Sequence, residues 1–272
     1  MRLGARVSSS DDIVLKENVS SSGNTITRSW FRLGSHLFRP VTIMASDTVI
    51  HPKIFKEISP PIPVSCVHEN ALYTDPTVLS HLLATAEDGA IGLAPVYGSE
   101  CVLATLAVST PSQVLVIRLG ANKARRQGKK CGKRATAQSS ITGLLCNPEI
   151  TKYAFRMDRL STSLFFDFGL RITNGVDLLS ISPQKENRRS FQALMVALGG
   201  QNVLKRAAVA AAFKHDEGPH TSQNEVALQA WAALHAAKLP SSMKIISNLS
   251  KIDTETFDEE ASPCFLVLSS RS

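Results

Sequence analysis

Between Ala90 and Leu119 the chain runs almost continuously apolar three times, as AIGLAPV (90–96), CVLATLAV (101–108) and QVLVIRL (113–119). The breaks between the runs are YGSE and STPS, short and rich in turn formers. Runs of this length with β-branched residues read as strands, and connectors this short favour an antiparallel meander. Strands that alternate apolar and polar residues leave one face to water. These do not alternate, so both faces of the sheet are expected to be covered, with helices as the covering layers. That requirement points to an α/β architecture.

The remaining elements follow from local signals. VSCVHENA, after the Pro-rich SPPIP at 59–63, opens as a first strand. Thr74-Asp75-Pro76 marks a helix start, with Asp75 able to accept from free amides and Pro76 suited to the first helical position. Val78, Leu79, Leu82 and Leu83 form its apolar stripe, and Glu87-Asp88-Gly89 is its expected end. SSITGLL at 139–145 reads as a short helix and TKYAF as a strand. LSTSLFFDF reads as a helix stopped by Gly169. LRITNGVDLLSI reads as a return to strand, with Asn174-Gly175 as its turn. From Ser190 the pattern is helical and Ala-rich, and Met195 and Trp231 are expected in the core.

Composition bounds the function. The chain has 272 residues, 43% hydrophobic and 19% charged, which is globular rather than disordered. Aromatics make up only 6%, which argues against a stacking platform for single strands. The formal net charge is +7. Lys123, Arg125, Arg126, Lys129, Lys130, Lys133 and Arg134 form one tract without an acid, so the rest of the chain is neutral overall. Such a tract is either a solvated loop or a phosphate-contacting segment. The odd set Cys66, Cys101, Cys131, Cys146 and Cys264 holds no CxxC pair, which supports neither a zinc site nor a disulfide framework. A reducing compartment is expected, cytoplasmic or nuclear. Residues 1–45 are Ser-dense and read as a flexible leader; Asp11, Asp12 and Glu17 make a mitochondrial transit peptide the weaker alternative. Met44 is a second candidate start for the folded part. No apolar run is long enough for a membrane helix. His215, Asp216, Glu217 and His220 are broken by Gly-Pro and read as a surface loop. No GxSxG, HExxH, phosphate-binding glycine loop or dinucleotide fingerprint is present.

One resemblance joins these elements. Lys152, Arg159-Leu160, Leu164 and Phe168-Gly169, followed by GVDLL, have the spacing of a strand–helix–strand block in 3'–5' exonuclease domains of the ribonuclease D type. Residues 62–240 resemble that family, its fungal-type members most closely, with 241–272 a C-terminal extension. The resemblance implies a ribonuclease H-like mixed sheet with helices on both faces and a helical C-terminal part. It also implies four carboxylates holding two magnesium ions on the order of 4 Å apart, which clamp the attacking and leaving oxygens of a phosphodiester. The matching positions here are Ala94 and Val96 on the first strand, Leu160 on the first helix and Gln229 on the last. Glu225 stands where the family has a water-orienting Tyr. A shifted register leaves Asp158 as one displaced ligand, whereas Asp167 reads as a solvated residue near a helix end and Asp177 as satisfying a turn or a helix end.

The reading that follows is a degenerate, non-catalytic copy that binds RNA or DNA without sequence preference through Lys123–Arg134. It expects no metal or other cofactor. One alternative is a protein-interaction scaffold of the same fold, the basic tract being a localisation signal or a loop for an acidic partner. Another is an active exonuclease that recruits Asp158, Asp177 or Glu225 and uses Mg2+ or Mn2+.

Overall fold

The structure, a computed structural model, describes residues 48–57, 59–75, 77–98, 100–120, 139–182, 187, 189–213, 221–255 and 257. The leader, the basic tract, the 215–220 loop and the tail beyond 257 lie outside the described residues.

The strands are β1 (Thr48–Ile50), β2 (Ile62–His68), β3 (Ala90–Tyr97), β4 (Leu103–Ser109), β5 (Val114–Arg118), β6 (Thr151–Ala154) and β7 (Gly175–Asp177). They form one sheet in the order β1-β2-β5-β4-β3-β6-β7. The β3-β4-β5 meander is antiparallel, as its connectors require. β6 joins β3 in parallel, and β7 joins β6 in parallel. On the other side β2 runs parallel to β5, and β1 is antiparallel to β2. This is a mixed α/β sheet of ribonuclease H-like type, the fold class that the resemblance implied.

The helices are α1 (Ala71–Thr74), α2 (Thr77–Ala84), α3 (Ser139–Leu145), α4 (Met157–Ser163), α5 (Phe191–Ala197), α6 (Arg206–Phe213), α7 (Gln223–Ala237) and α8 (Pro240–Ile246). They cover both faces, as the non-alternating strands demanded. One core gathers Ala94, Ala107, Val116 and Cys66 of the sheet against Ala227, Ala230 and Trp231 of α7 and Met195 of α5. The other gathers Ile91, Leu93, Leu106 and Ile117 against Leu79 and Leu82 of α2, Leu144 of α3 and Leu160 of α4. Successive residues of β3 thus serve opposite cores, as the pleat dictates.

Local signals behave as their chemistry predicts at several points. The Thr77 amide donates to Asp75 Oδ1 at 3.1 Å, so Asp75 opens α2. Gly169 takes φ 67° where the helical run from α4 ends, after a wide turn over Leu164–Phe168. Met195 and Trp231 are buried.

Other expectations need correction. α2 stops at Ala84, and Glu87–Gly89 is a separate tight turn with Asp88 at φ 54°. LRITNGVDLLSI is not one continuous strand: β7 spans only Gly175–Asp177, and Asn174 turns into it at φ 52°. Ile172 and Gly175 bond to a segment from further along the chain. The Ile172 amide donates to Thr254 Oγ1 at 2.8 Å, and Gly175 bridges Ile252. The sheet and its edges therefore take in β1, upstream of residue 62, and residues 252–254, downstream of residue 240.

Candidate functional site

The first-strand positions sit where the sheet meets α7. Ala94 and Val96 lie on the α7 side of β3, Ala94 buried and Val96 half-buried against the same core. Gln229 reaches the same place from α7. Two of the four family positions, Ala94 and Gln229, line one cavity. Leu160 does not join them: it is fully buried in the core on the opposite face, beside Met157 and Leu164.

That cavity is small. Its volume is about 20 Å³, room for about one water molecule. Phe155 after β6 and Phe213 at the end of α6 line it, their rings edge to face at 5.4 Å. Arg156 and Arg159 also line it, the Arg159 guanidinium lying 4.2 Å over the Tyr97 ring. Among the described residues no carboxylate lines the cavity. A pair of divalent cations needs hard anionic oxygens, and here aliphatic carbon, one amide and two cationic side chains stand in their place. The residues present do not fit the metal pair that the fold family implies. Among the described residues no cluster of three or more His, Cys, Asp or Glu side chains is arranged to hold a metal elsewhere.

Gln229 is 4% exposed and its Nε2 donates to the Ala212 carbonyl at 2.9 Å. The residue at the family's carboxylate position is thus a tie between α7 and α6.

The acids with a second reading are placed as follows. Asp177 Oδ1 accepts from the amides of Arg156 (2.9 Å), Met157 (3.4 Å) and Leu179 (3.2 Å), and Oδ2 accepts from the Ser180 hydroxyl (3.3 Å). It caps the turn after β7 and pins the start of α4, where Arg156 holds a left-handed φ of 61°. Burial pushes its carboxyl above the ordinary value; those amides pull it back, while the nearby Asp158 adds to the rise. Asp158 is exposed and pairs with Arg189 at 3.6 Å. Both acids border a wider cleft of about 760 Å³, together with Arg156, Arg189 and an apolar wall that includes Ile245 and Leu249. Asp167 Oδ2 accepts from the Leu103 amide at 3.0 Å, so it fixes the start of β4 rather than standing free in solvent. Glu225 forms a capping box with Ser222 at the start of α7, its Oε2 accepting from the Ser222 amide at 2.8 Å. S-x-x-E at 222–225 is the signal that finds this role in the sequence. Lys123, Arg125, Arg126, Lys129, Lys130, Lys133 and Arg134 lie outside the described residues.

One residue that sequence reasoning passed over, Gly92, and one it read only for its spacing, Arg159, shape the region. Gly92 lets α7 approach β3, since a Cβ there would lie 2.0 Å from the Ala230 carbonyl oxygen. Arg159 places a cation beside the cavity. Gly within AIGLAPV was the available signal for the first.

No protein-family model matches the chain, and no curated protein matches it significantly. Among solved structures the chain is similar to an EXD2 exonuclease domain soaked in Mn, at 16% identity over 68% of this chain and 94% of that one, with a TM-score of 0.34. The same domain soaked in Mg and GMP matches at 17% identity over 68% and 93%, with a TM-score of 0.35. The chain is also similar to Escherichia coli RNase D, an exoribonuclease involved in structured RNA processing, at 15% identity over 64% of this chain and 44% of that one, with a TM-score of 0.41.

Proposed function

We propose that the chain is a nucleic-acid-associated protein built on a 3'–5' exonuclease-like domain that does not carry out two-metal hydrolysis. The observation that carries this reading is the cavity beside Ala94, about 20 Å³ in volume and lined by Arg156 and Arg159 without a carboxylate among the described residues. A scissile phosphodiester and two hydrated cations need several hundred cubic ångströms and at least two anchoring carboxylates. Association with RNA or DNA draws its support from sequence. The tract Lys123–Arg134 holds the whole net excess of positive charge, and such charge binds phosphates without reading bases.

The test combines turnover and binding. Labelled single- and double-stranded RNA and DNA are incubated with the full chain in Mg2+ and in Mn2+, and retardation is followed by gel shift. The expected result is retardation without shortening. Shortening from the 3' end overturns the non-catalytic reading. Absence of retardation at micromolar protein overturns the nucleic-acid reading in favour of a scaffold.

One observation favours the enzymatic alternative. Asp158 and Asp177 border one cleft of about 760 Å³, large enough for a nucleotide. In that reading the carboxylates hold a cation in the cleft instead of capping and pairing, and Asp158→Ala abolishes any metal-dependent shortening. Shortening that survives Asp158→Ala excludes it.

A further inference from the structure

On its α6 side the cavity beside Ala94 is lined by Phe213 and Gln229, and two contacts hold α6 there. Phe213 packs edge to face on Phe155 with ring centroids 5.4 Å apart. Gln229 Nε2 donates to the Ala212 carbonyl at 2.9 Å. Ala212 lies in the last turn of α6, where carbonyls lack a partner within the helix. The amide of Gln229 meets that need, at a site where donor and acceptor are both shielded from water.

We propose that α6 is a lid over the cavity beside Ala94 and that Gln229 is its latch, a positioning residue that exchanges a metal-ligating role for one of holding α6. The inference rests on the non-catalytic reading and deepens it. An ionised carboxylate at position 229 has no proton to donate. It would set a negative oxygen against the Ala212 carbonyl in a buried place, where neither is solvated. Position 229 therefore serves either a cation or the closed α6, and not both. A carboxylate restored there leaves α6 without its tie before it gains any metal. Nucleic acid held by this protein consequently lies outside the cavity beside Ala94.

Amide hydrogen exchange read by mass spectrometry on the full chain tests this. Gln229→Met keeps the length and apolar stem and removes the donor. Gln229→Glu keeps the shape and adds charge. The expected result is exchange in α6 faster by roughly tenfold or more in both variants, the range of local opening, with β3, β4 and β5 unchanged. Unchanged α6 exchange in both variants overturns the latch. Acceleration spread equally over the sheet also overturns it, because α6 is then inseparable from the core. Should Gln229→Glu fail to fold, Gln229→Met alone decides. Metal-dependent shortening of an oligonucleotide by the wild-type chain is a separate failure: it removes the non-catalytic reading and leaves the latch to the exchange result.

Discussion

Lys152 is fully buried, and its Nζ donates to the Asn147 carbonyl. Burial lowers its ammonium to about 8, against a weaker pull upward from the neighbouring Cys146 and Asp253. The unfolded chain holds this proton up to roughly pH 10.4. Between about pH 8 and 10.4 the unfolded state binds more protons, so this group makes stability rise with pH. Below about pH 8 the full cost of the buried charge is present, on the order of 3 kcal/mol. Lys152→Met keeps the volume, removes the charge and leaves the Asn147 carbonyl short of one donor. The variant is expected to be more stable than wild type at pH 7 by about 1–2 kcal/mol. That gain should shrink towards zero or reverse by pH 10. Urea unfolding of both proteins from pH 7 to 10 measures it, and the difference between them is the readout. Cys66 and Tyr153, both raised by burial, are common to the two proteins and cancel in that difference, while Cys146 lies close enough to Lys152 for each charge to act on the other. A variant less stable at pH 7, with a gap that does not vary with pH, defeats the account. The sequence pattern marks Lys152 as a motif position but carries no sign that its ammonium is out of water. Asp177 was readable as a turn cap because two of its partners, Leu179 and Ser180, follow within three residues, whereas its bonds to Arg156 and Met157 were not. Gln229 was not, because its acceptor is a main-chain carbonyl that any residue at 212 would supply.

At the scale of elements, strands and helices were legible where one pattern sufficed. The meander followed from three apolar runs and two short connectors, and α7 from its Ala content. What the sequence left open was distance. The Ala-rich helix is Ala-rich because it lies close on β3, and Gly92 is the other half of that contact. Gly92→Ala is expected to cost about 3 kcal/mol or more, since main chain must give way on both sides. Gly143 offers the opposite case inside α3: a Cβ there meets nothing within 4 Å. Gly143→Ala is expected to stabilise by about 0.5–1 kcal/mol through helix propensity and a less free unfolded chain. Thermal or urea unfolding of the pair reads both signs together. A neutral Gly92→Ala refutes the close approach of α7 to β3. The misread stretch at 170–174 fails for a different reason. The backbone groups of Ile172 are taken by Thr254, far along the chain, and the Thr173 amide by the Leu145 carbonyl, and no local pattern announces such partners.

Over the whole molecule, two apolar cores flank one sheet, and the charge is arranged without reference to either. The tract of seven basic residues begins three positions after Gly120, just beyond the end of β5, and the remainder of the chain is neutral overall. Electrostatic affinity for a polyanion, where it exists, therefore stands on one segment. This separates binding from folding and makes both measurable in the same variants. For a single strand, every phosphate that the protein ceases to neutralise lowers the slope of log affinity against log salt by roughly 0.7. Replacing Lys129 and Lys130 by Gln is expected to lower that slope by about 1.4, uniformly across oligonucleotide sequences. Replacing all seven residues is expected to abolish retardation at micromolar protein while the urea midpoint stays within about 0.5 kcal/mol of wild type, as for surface changes. Fluorescence anisotropy at several salt concentrations gives the slope, and unfolding gives the control. Wild-type affinity indifferent to salt would show that phosphate contacts do not hold the nucleic acid. Affinity that survives removal of the whole tract would place binding on the sheet and its helices, and the cleft of about 760 Å³ beside Arg156 and Arg189 would be the next surface to alter.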